Sequence, residues 1–124
     1  MQDALDKGER ICRAAELCFQ AALYESCISR AYYAMFWTAI AALESDGYPV
    51  RQEWSHGGLA NTFGKHLVQT RGLYPAAYGR RLSESYKLRV VADYERQPLR
   101  EKDAKRVLEW AQQFVEKIKE ATHD

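Results

Sequence analysis

The clearest pattern in this sequence is a segment that is apolar on two sides when it is read at helical spacing. A surface helix usually carries one apolar stripe and a charged back. Here the first stripe comprises Ile28, Tyr32, Met35, Ala39 and Ala42, and the second comprises Tyr33, Trp37 and Ile40. Only Arg30 interrupts this segment with charge before Glu44. The pattern therefore predicts a central helix that is packed on two sides.

Four other segments show helical periodicity, and none shows the alternation of period two that is typical of strands. The predicted helices cover about 3–22, 26–46, 56–70, 75–94 and 101–121. Short connections make neighbouring helices antiparallel. A chain of 124 residues is long enough for one core. The sequence therefore predicts an all-α, five-helix up-and-down bundle that forms a single domain over residues 1–124.

Capping residues and helix breakers support these boundaries. Gly47 and Pro49 end the second helix, and Ser55 is a suitable N-cap for the third. The third helix contains Gly57, Gly58 and Gly64, which make it intrinsically weak. Glycines in a helix often mark a close backbone contact with another helix or a ligand. We therefore expect such a contact along this helix.

Composition and charge narrow the class of protein only a little. Hydrophobic residues make up 47% and charged residues 28%, and no apolar run approaches the roughly 18 residues of a membrane span. The first residues include Asp3 and Asp6 and lack the features of a signal peptide. We expect a cytoplasmic protein without membrane contact. The net charge is +1, but residues 80–106 hold nine Lys/Arg against five Asp/Glu, which permits a polyanionic partner.

The cysteines and histidines do not follow metal-binding patterns. Cys12, Cys18 and Cys27 are odd in number, and their spacing matches no zinc motif. We interpret them as reduced, apolar side chains. His56 and His66 lie ten residues apart on one helix, too far to share a metal ion. We predict no metal site and no cofactor.

Candidate functional residues are polar groups on faces that we expect to be partly buried. They are Arg30, His56, Lys65, Arg89, Asp93 and Tyr94. One interpretation is structural: Arg30, Asp93 and Tyr94 form a buried network that ties helices together. Arg89 and Asp93 are four residues apart and can pair along one helix face. His56 is either a simple capping residue or an acid–base group.

The aromatic residues of the central helix also allow two interpretations. Tyr32, Tyr33, Phe36 and Trp37 are core residues in the simpler interpretation. In the other, they form a platform on which nucleic-acid bases stack. The apolar stripes of this helix, together with Tyr78, Tyr86 and Trp110, exceed what a small monomer can cover, so we predict a homodimer.

Three motifs resemble those of the HEPN domain family, whose name stands for higher eukaryotes and prokaryotes nucleotide-binding. They are Ser-Arg-Ala-Tyr-Tyr-Ala-Met-Phe at 29–36, Ser-His-Gly-Gly-Leu at 55–59, and Leu-Arg-x-x-Ala-Asp-Tyr, which has Leu88 and Arg89 in its first two places. The resemblance covers nearly the whole chain and is closest to a small branch of stand-alone prokaryotic proteins. It implies a helical bundle that pairs as a two-fold dimer.

The resemblance also implies a function. Many family members are metal-independent ribonucleases, and others form toxin–antitoxin pairs with a minimal nucleotidyltransferase. The ribonucleases carry Arg, then four to six residues, then His, late in the domain. Arg89 falls on that Arg, but Asp93 and Tyr94 occupy the region where the His would begin. Some members are modified on a Tyr two residues past that His, a spacing that Tyr94 does not match.

Two functions follow as hypotheses. In the first, the protein acts on a nucleotide or RNA within a toxin–antitoxin-like pair, and any catalysis is metal-independent RNA cleavage. Arg89 would then stabilise phosphate charge, His56 would be the general base, and Asp93 or Tyr94 could replace it. Arg30, Tyr33 and Lys65 would bind the nucleotide or RNA. In the second, the chain is a non-catalytic dimeric adaptor that binds the nucleotidyltransferase.

Overall fold

The computed structural model describes residues 1–122, and these residues form helices connected by turns and loops, without strands. The helices are α1 (Gln2–Gln20), α2 (Tyr24–Ser45), α3 (His56–Thr62), α4 (Ala76–Tyr94) and α5 (Glu101–Thr122). A π-helical segment, Phe63–Thr70, continues α3 without a break. The predicted all-α, five-helix bundle is therefore confirmed. His123, the third histidine of the chain, lies outside the described residues.

Helix α2 is the centre of the bundle, as its two apolar stripes predicted. It contacts α1, α3, the π-helical segment, α4 and α5. Ile28, Tyr32 and Met35 of its first stripe are almost fully buried, whereas Tyr33 and Trp37 of its second are half-buried. The helix therefore leaves less uncovered apolar surface than the sequence pattern predicted.

Helix α5 shows how directly periodicity specifies packing in this chain. Its buried residues are Ala104, Val107, Leu108, Ala111, Phe114, Val115 and Ile118, the same seven that helical spacing predicts. They pack against α2 and α1. Tyr78 of α4, Tyr86 of α4 and Trp110 of α5 lie half-buried at the edge of this core. No helix of residues 1–122 is long and apolar enough to cross a bilayer.

Helices α1 and α2 approach each other closely at Gly8 of α1. A Cβ atom placed there would lie 2.5 Å from Thr38 Cγ2 and 3.2 Å from the carbonyl oxygen of Ala34 on α2. Thr38 is fully buried, and its hydroxyl donates to the same carbonyl over 2.8 Å. The absence of a side chain at Gly8 therefore allows α1 and α2 to pack at short range.

The close contact with another helix, one of the two kinds that we expected along α3, is not found. A Cβ atom at Gly57 or Gly64 would meet nothing within 4 Å, and one at Gly58 would meet only the Ser55 side chain. Ser55 is the N-cap that the sequence predicted, since its Oγ accepts the Gly58 N–H over 2.9 Å. These glycines weaken the helix without bringing another helix close.

Two helix ends differ from the prediction. Helix α1 ends at Gln20 and not at Ala22, because Ala22 adopts a left-handed conformation with φ 60° in the turn to α2. The third helix was predicted to be α-helical over 56–70, but it changes to π-helix at Phe63. The Arg71 N–H donates to the His66 carbonyl over 2.9 Å, the wide spacing typical of a π-helix.

A polar cluster at the end of α2 holds the π-helical segment in place. Asp46 Oδ2 lies 2.9 Å from His66 Nε2, and Arg71 donates to both carboxylate oxygens of Asp46 over 3.1 and 3.3 Å. Tyr48 packs against the His66 ring with centroids 5.5 Å apart. Burial raises the pKa of Asp46, but the hydrogen bonds from Arg71 and His66 outweigh it, so the net shift is downward.

This cluster predicts an acid-dependent loss of stability. Because the folded state lowers the pKa of Asp46, its contribution is present above the unfolded pKa of about 3.9 and disappears as the pH falls through the folded value. We expect Asp46→Asn to cost about 1 kcal/mol at pH 7, a modest value because Arg71 is half-exposed. Urea unfolding at pH 7 and pH 3 measures this cost, and the difference from wild type should shrink at pH 3. Asp6→Asn, on the exposed face of α1, is the control. Equal stability of Asp46→Asn and wild type at pH 7 would contradict the prediction.

Candidate functional site

Helices α2 and α4 meet at a cluster of charged and polar side chains. Arg89 Nε lies 3.0 Å from Asp93 Oδ2, so these residues form the ion pair that their spacing of four predicted. Within residues 1–122 this N–H has no hydrogen-bond acceptor in suitable geometry, so the contact is an ion pair only. Ser29 of α2 donates to the same oxygen of Asp93 over 3.3 Å. The carboxylate therefore connects the two helices.

Arg89 lies among three tyrosine rings. Its guanidinium carbon is 5.2 Å from the ring centre of Tyr33, 5.8 Å from that of Tyr94 and 6.0 Å from that of Tyr86. Only 13% of its side chain is exposed. Aromatic faces attract a cation, and the attraction is stronger when water is excluded. The guanidinium is thus held in one place, with part of its surface open.

His56, the first residue of α3, lies beside this arginine. Its ring stacks on Tyr86, with centroids 4.6 Å apart, and approaches Phe36 of α2 at 5.4 Å. Its Nδ1 lies 2.6 Å from the hydroxyl oxygen of Tyr32, which is 1% exposed. The Ser55 cap fixes where α3 begins and so fixes the position of the imidazole. Side chains of α2 and α4 therefore hold His56 in place together.

Burial and charge keep this histidine neutral. Partial burial lowers the pKa of His56 below 6.5, and the positive charge of Arg89 lowers it further. Burial raises the pKa of Tyr32 well above its ordinary value, so its hydroxyl stays protonated. At neutral pH the site therefore presents one cation, Arg89, beside an uncharged imidazole and an uncharged phenol.

We call this surface the Arg89 patch. It brings together five residues that the sequence proposed for the site, and it adds others. The five are Tyr33, His56, Arg89, Asp93 and Tyr94, and the additions are Ser29, Tyr32 and Tyr86. The sequence left Tyr32 with two interpretations, a core residue or part of a stacking platform, and neither included a contact with His56. Its periodicity gave the correct burial but could not show that its hydroxyl meets His56.

Two expectations about these residues were wrong. Arg30 is exposed, and Asp93 pairs with Arg89, so the predicted buried pair of Arg30 with Asp93 does not form. Lys65, on the π-helical segment, is exposed, and Tyr94 is 74% exposed, where partial burial was expected. Consecutive residues of a helix point about 100° apart, so Ser29 faces α4 while Arg30 points away from it.

The patch has the groups that bind a phosphate diester. A guanidinium donates N–H groups to phosphate oxygens, and an imidazole can donate or transfer a proton. The rings of Tyr33 and Tyr94 are partly or largely open, and aromatic faces can stack on bases. Within residues 1–122, no three His, Cys, Asp or Glu side chains are close enough to hold a metal ion.

The fold and the patch together define an all-helical domain that presents an arginine, a histidine and several tyrosines on one surface. The model of the HEPN domain family matches residues 1–121, and the chain belongs to that family. Two similar proteins come from Methanocaldococcus jannaschii, and both are named "Putative toxin". One is 33% identical over 98% of this chain and 87% of its own length. The other is 25% identical over 96% of this chain and 79% of its own length.

A third similar protein comes from Gloeobacter violaceus and is named as a UPF0332 protein. It is 36% identical to this chain over 93 residues, which are 75% of this chain and 71% of the relative. This name states no activity. The matches nevertheless extend over most of each chain. They confirm that the chain is a HEPN protein, as its three short motifs suggested.

Proposed function

We propose that this protein is a toxin-type HEPN protein that acts on RNA at the Arg89 patch. The observation that carries the proposal is the convergence of Arg89 and His56, from different helices, on the same Tyr86 ring. Two relatives with toxin names support the toxin class. The Arg89 position also matches that of the arginine in the family's ribonucleases. We propose that the protein acts on RNA in the cytoplasm.

In this proposal the chemistry is an attack of the RNA 2′-oxygen on the adjacent phosphorus atom. A base removes the 2′-hydroxyl proton, the bond from phosphorus to the 5′-oxygen breaks, and an acid protonates the departing oxygen. Arg89 stabilises the charge on the phosphate oxygens during the step. His56 takes part as an acid–base or donor group, and Asp93 orients Arg89. The rings of Tyr33 and Tyr94 hold the flanking bases.

Expression in a bacterial host tests the proposal directly. Expression of the chain alone should arrest growth, and the purified protein should cleave single-stranded RNA in EDTA. His56→Ala should abolish the growth arrest while it leaves the circular dichroism spectrum unchanged. A folded wild type that neither slows growth nor cleaves any tested RNA would overturn the proposal and favour the adaptor function.

The adaptor function is favoured by one feature of the patch. Asp93, the carboxylate nearest Arg89, is already engaged by Arg89 and Ser29, which makes it a poor base. In the adaptor alternative, the patch binds without cleaving, and a minimal nucleotidyltransferase is the partner. This alternative would be supported if the wild type co-purified with that enzyme and cleaved no RNA.

We further propose that two copies of the chain pair through an apolar surface next to the patch. Leu17 and Leu23 are 50% and 55% exposed at the turn between α1 and α2, at the same end of the bundle as Tyr94. The contact of Ser29 with Asp93 connects these ends of α2 and α4. Exposed apolar side chains at one end of a bundle favour a protein interface.

Light scattering at micromolar concentration should therefore give the mass of a dimer. The double change Leu17→Glu with Leu23→Glu should shift the mass toward that of a monomer, because it places charges in the interface. Val50→Glu changes a side chain that is 77% exposed in the loop after α2 and serves as the control. A monomer mass for the wild type would contradict the pairing.

A further inference from the structure

The contact between Tyr32 and His56 fixes more than the position of the imidazole. Tyr32 is 1% exposed, and its hydroxyl oxygen lies 2.6 Å from His56 Nδ1. Among residues 1–122, this hydroxyl has no other hydrogen-bond partner. A buried hydroxyl that cannot donate its proton costs free energy. The favourable arrangement is therefore donation from Tyr32 to an unprotonated Nδ1.

Donation to Nδ1 determines where the proton of the neutral imidazole lies. A neutral histidine has one N–H and one acceptor nitrogen, so an accepting Nδ1 requires a proton on Nε2. Nε2 has no partner among residues 1–122, and it is not among the buried polar atoms that lack one. The Nε2–H group is thus an open donor on the same surface as Arg89.

We propose that Tyr32 is a positioning residue that holds His56 in the Nε2–H form, so that the imidazole donates to a phosphate oxygen beside Arg89. The nature of the anion, an RNA phosphate diester, rests on the proposed function, but the tautomer does not. The geometry assigns His56 the role of a hydrogen-bond donor. The general-base role that the sequence suggested needs a free acceptor nitrogen, and Tyr32 already occupies the one that is unprotonated.

The surroundings of the imidazole support a neutral donor. The groups that face it are Tyr32 and Tyr33 from α2, and Tyr86 and Arg89 from α4. None of these is a carboxylate, so nothing nearby favours the doubly protonated cation. A neutral N–H donor next to a guanidinium can contact a second oxygen of the same phosphate, or the next phosphate along the strand.

Nitrogen NMR of the RNA-free protein tests the tautomer directly. At pH 7.5 the wild type should show a protonated Nε2 and an unprotonated Nδ1 for His56, with the assignment made by loss of the signal in His56→Gln. Tyr32→Phe keeps the ring but removes the donor, and it should give a mixture of tautomers. Tyr74→Phe removes the hydroxyl of another buried tyrosine and should leave the His56 signals unchanged. A protonated Nδ1 in the wild type, or a Tyr32→Phe spectrum identical to wild type, would overturn the proposal.

Binding of single-stranded RNA, measured by fluorescence anisotropy, tests the donor role. Loss of one hydrogen bond should weaken binding about tenfold in His56→Ala, whereas His56→Gln keeps an N–H donor near the place of Nε2 and should stay within about threefold of wild type. Equal losses in both variants would refute the donor role. A wild type that binds no RNA would refute the proposed function, and the NMR result would still decide whether Tyr32 fixes the tautomer.

Discussion

Replacing Arg89 with alanine should lower the rate of RNA cleavage by about 100- to 1,000-fold. This is the usual cost of removing one group that stabilises developing charge in a transition state. The guanidinium is 13% exposed and lies among three tyrosine rings, so neither water nor another side chain of the patch can supply an equivalent charge at that point. Initial rates on single-stranded RNA in EDTA measure the effect.

The controls separate charge from packing and from stability. Arg89→Lys keeps the charge but loses the planar guanidinium, and it should recover only part of the rate. Arg10→Ala removes an exposed arginine of α1 and should leave the rate within about twofold. Urea unfolding of each variant checks that the fold persists, because Arg89 also packs against aromatic rings. A folded Arg89→Ala variant that cleaves at the wild-type rate would exclude Arg89 from the reaction.

Gly8→Ala should destabilise the bundle by about 2 kcal/mol, although alanine is the better helix former. The new Cβ atom would lie 2.5 Å from Thr38 Cγ2 and 3.2 Å from the Ala34 carbonyl oxygen. The first of these distances cannot persist, so α1 has to move away from α2 or Thr38 has to change rotamer. Either change disturbs the core next to the most extensively buried helix. The midpoint and slope of urea unfolding measure the loss.

Two further variants make this prediction specific. Thr38→Ser removes Cγ2 but keeps the hydroxyl that donates to the Ala34 carbonyl, so it should recover part of the loss when combined with Gly8→Ala. Gly79→Ala places the same atom in the interior of α4, where nothing lies within 4 Å, and should stabilise by about 0.5–1 kcal/mol. If both glycine variants were stabilised alike, the close approach at Gly8 would be refuted.

The bundle could be predicted because each helix carries its own pattern. The buried residues of α5 follow from spacing alone, and the Ser55 cap follows from the type of residue before a helix. The contact at Gly8 could not be predicted, because it depends on which residue of α2 lies opposite. The three glycines of the third helix suggested a close contact there instead. Gly57 and Gly64, however, face open space.

The candidate site could be predicted only where its contacts are local. Arg89 and Asp93 share one face of one helix, so their ion pair follows from their spacing. The pairing of Arg30 with Asp93 was wrong because it joined two helices whose relative rotation the sequence does not give. The same limit hid the role of Tyr32. Its burial follows from periodicity, but its hydrogen bond to His56 depends on where α3 begins against α2.

The change from α-helix to π-helix at Phe63 has a consequence for how motion is distributed in the domain. A π-helix has less favourable backbone geometry than an α-helix, and regions with fewer buried contacts open first in native proteins. Of residues 63–70, only Phe63 and Leu67 are buried, whereas most of α2 is buried. His56 therefore begins a helix whose far end has few buried residues, while Tyr32 belongs to the most extensively buried helix. We therefore expect the imidazole to stay tethered at Nδ1 to the Tyr32 hydroxyl when the far end of the third helix moves.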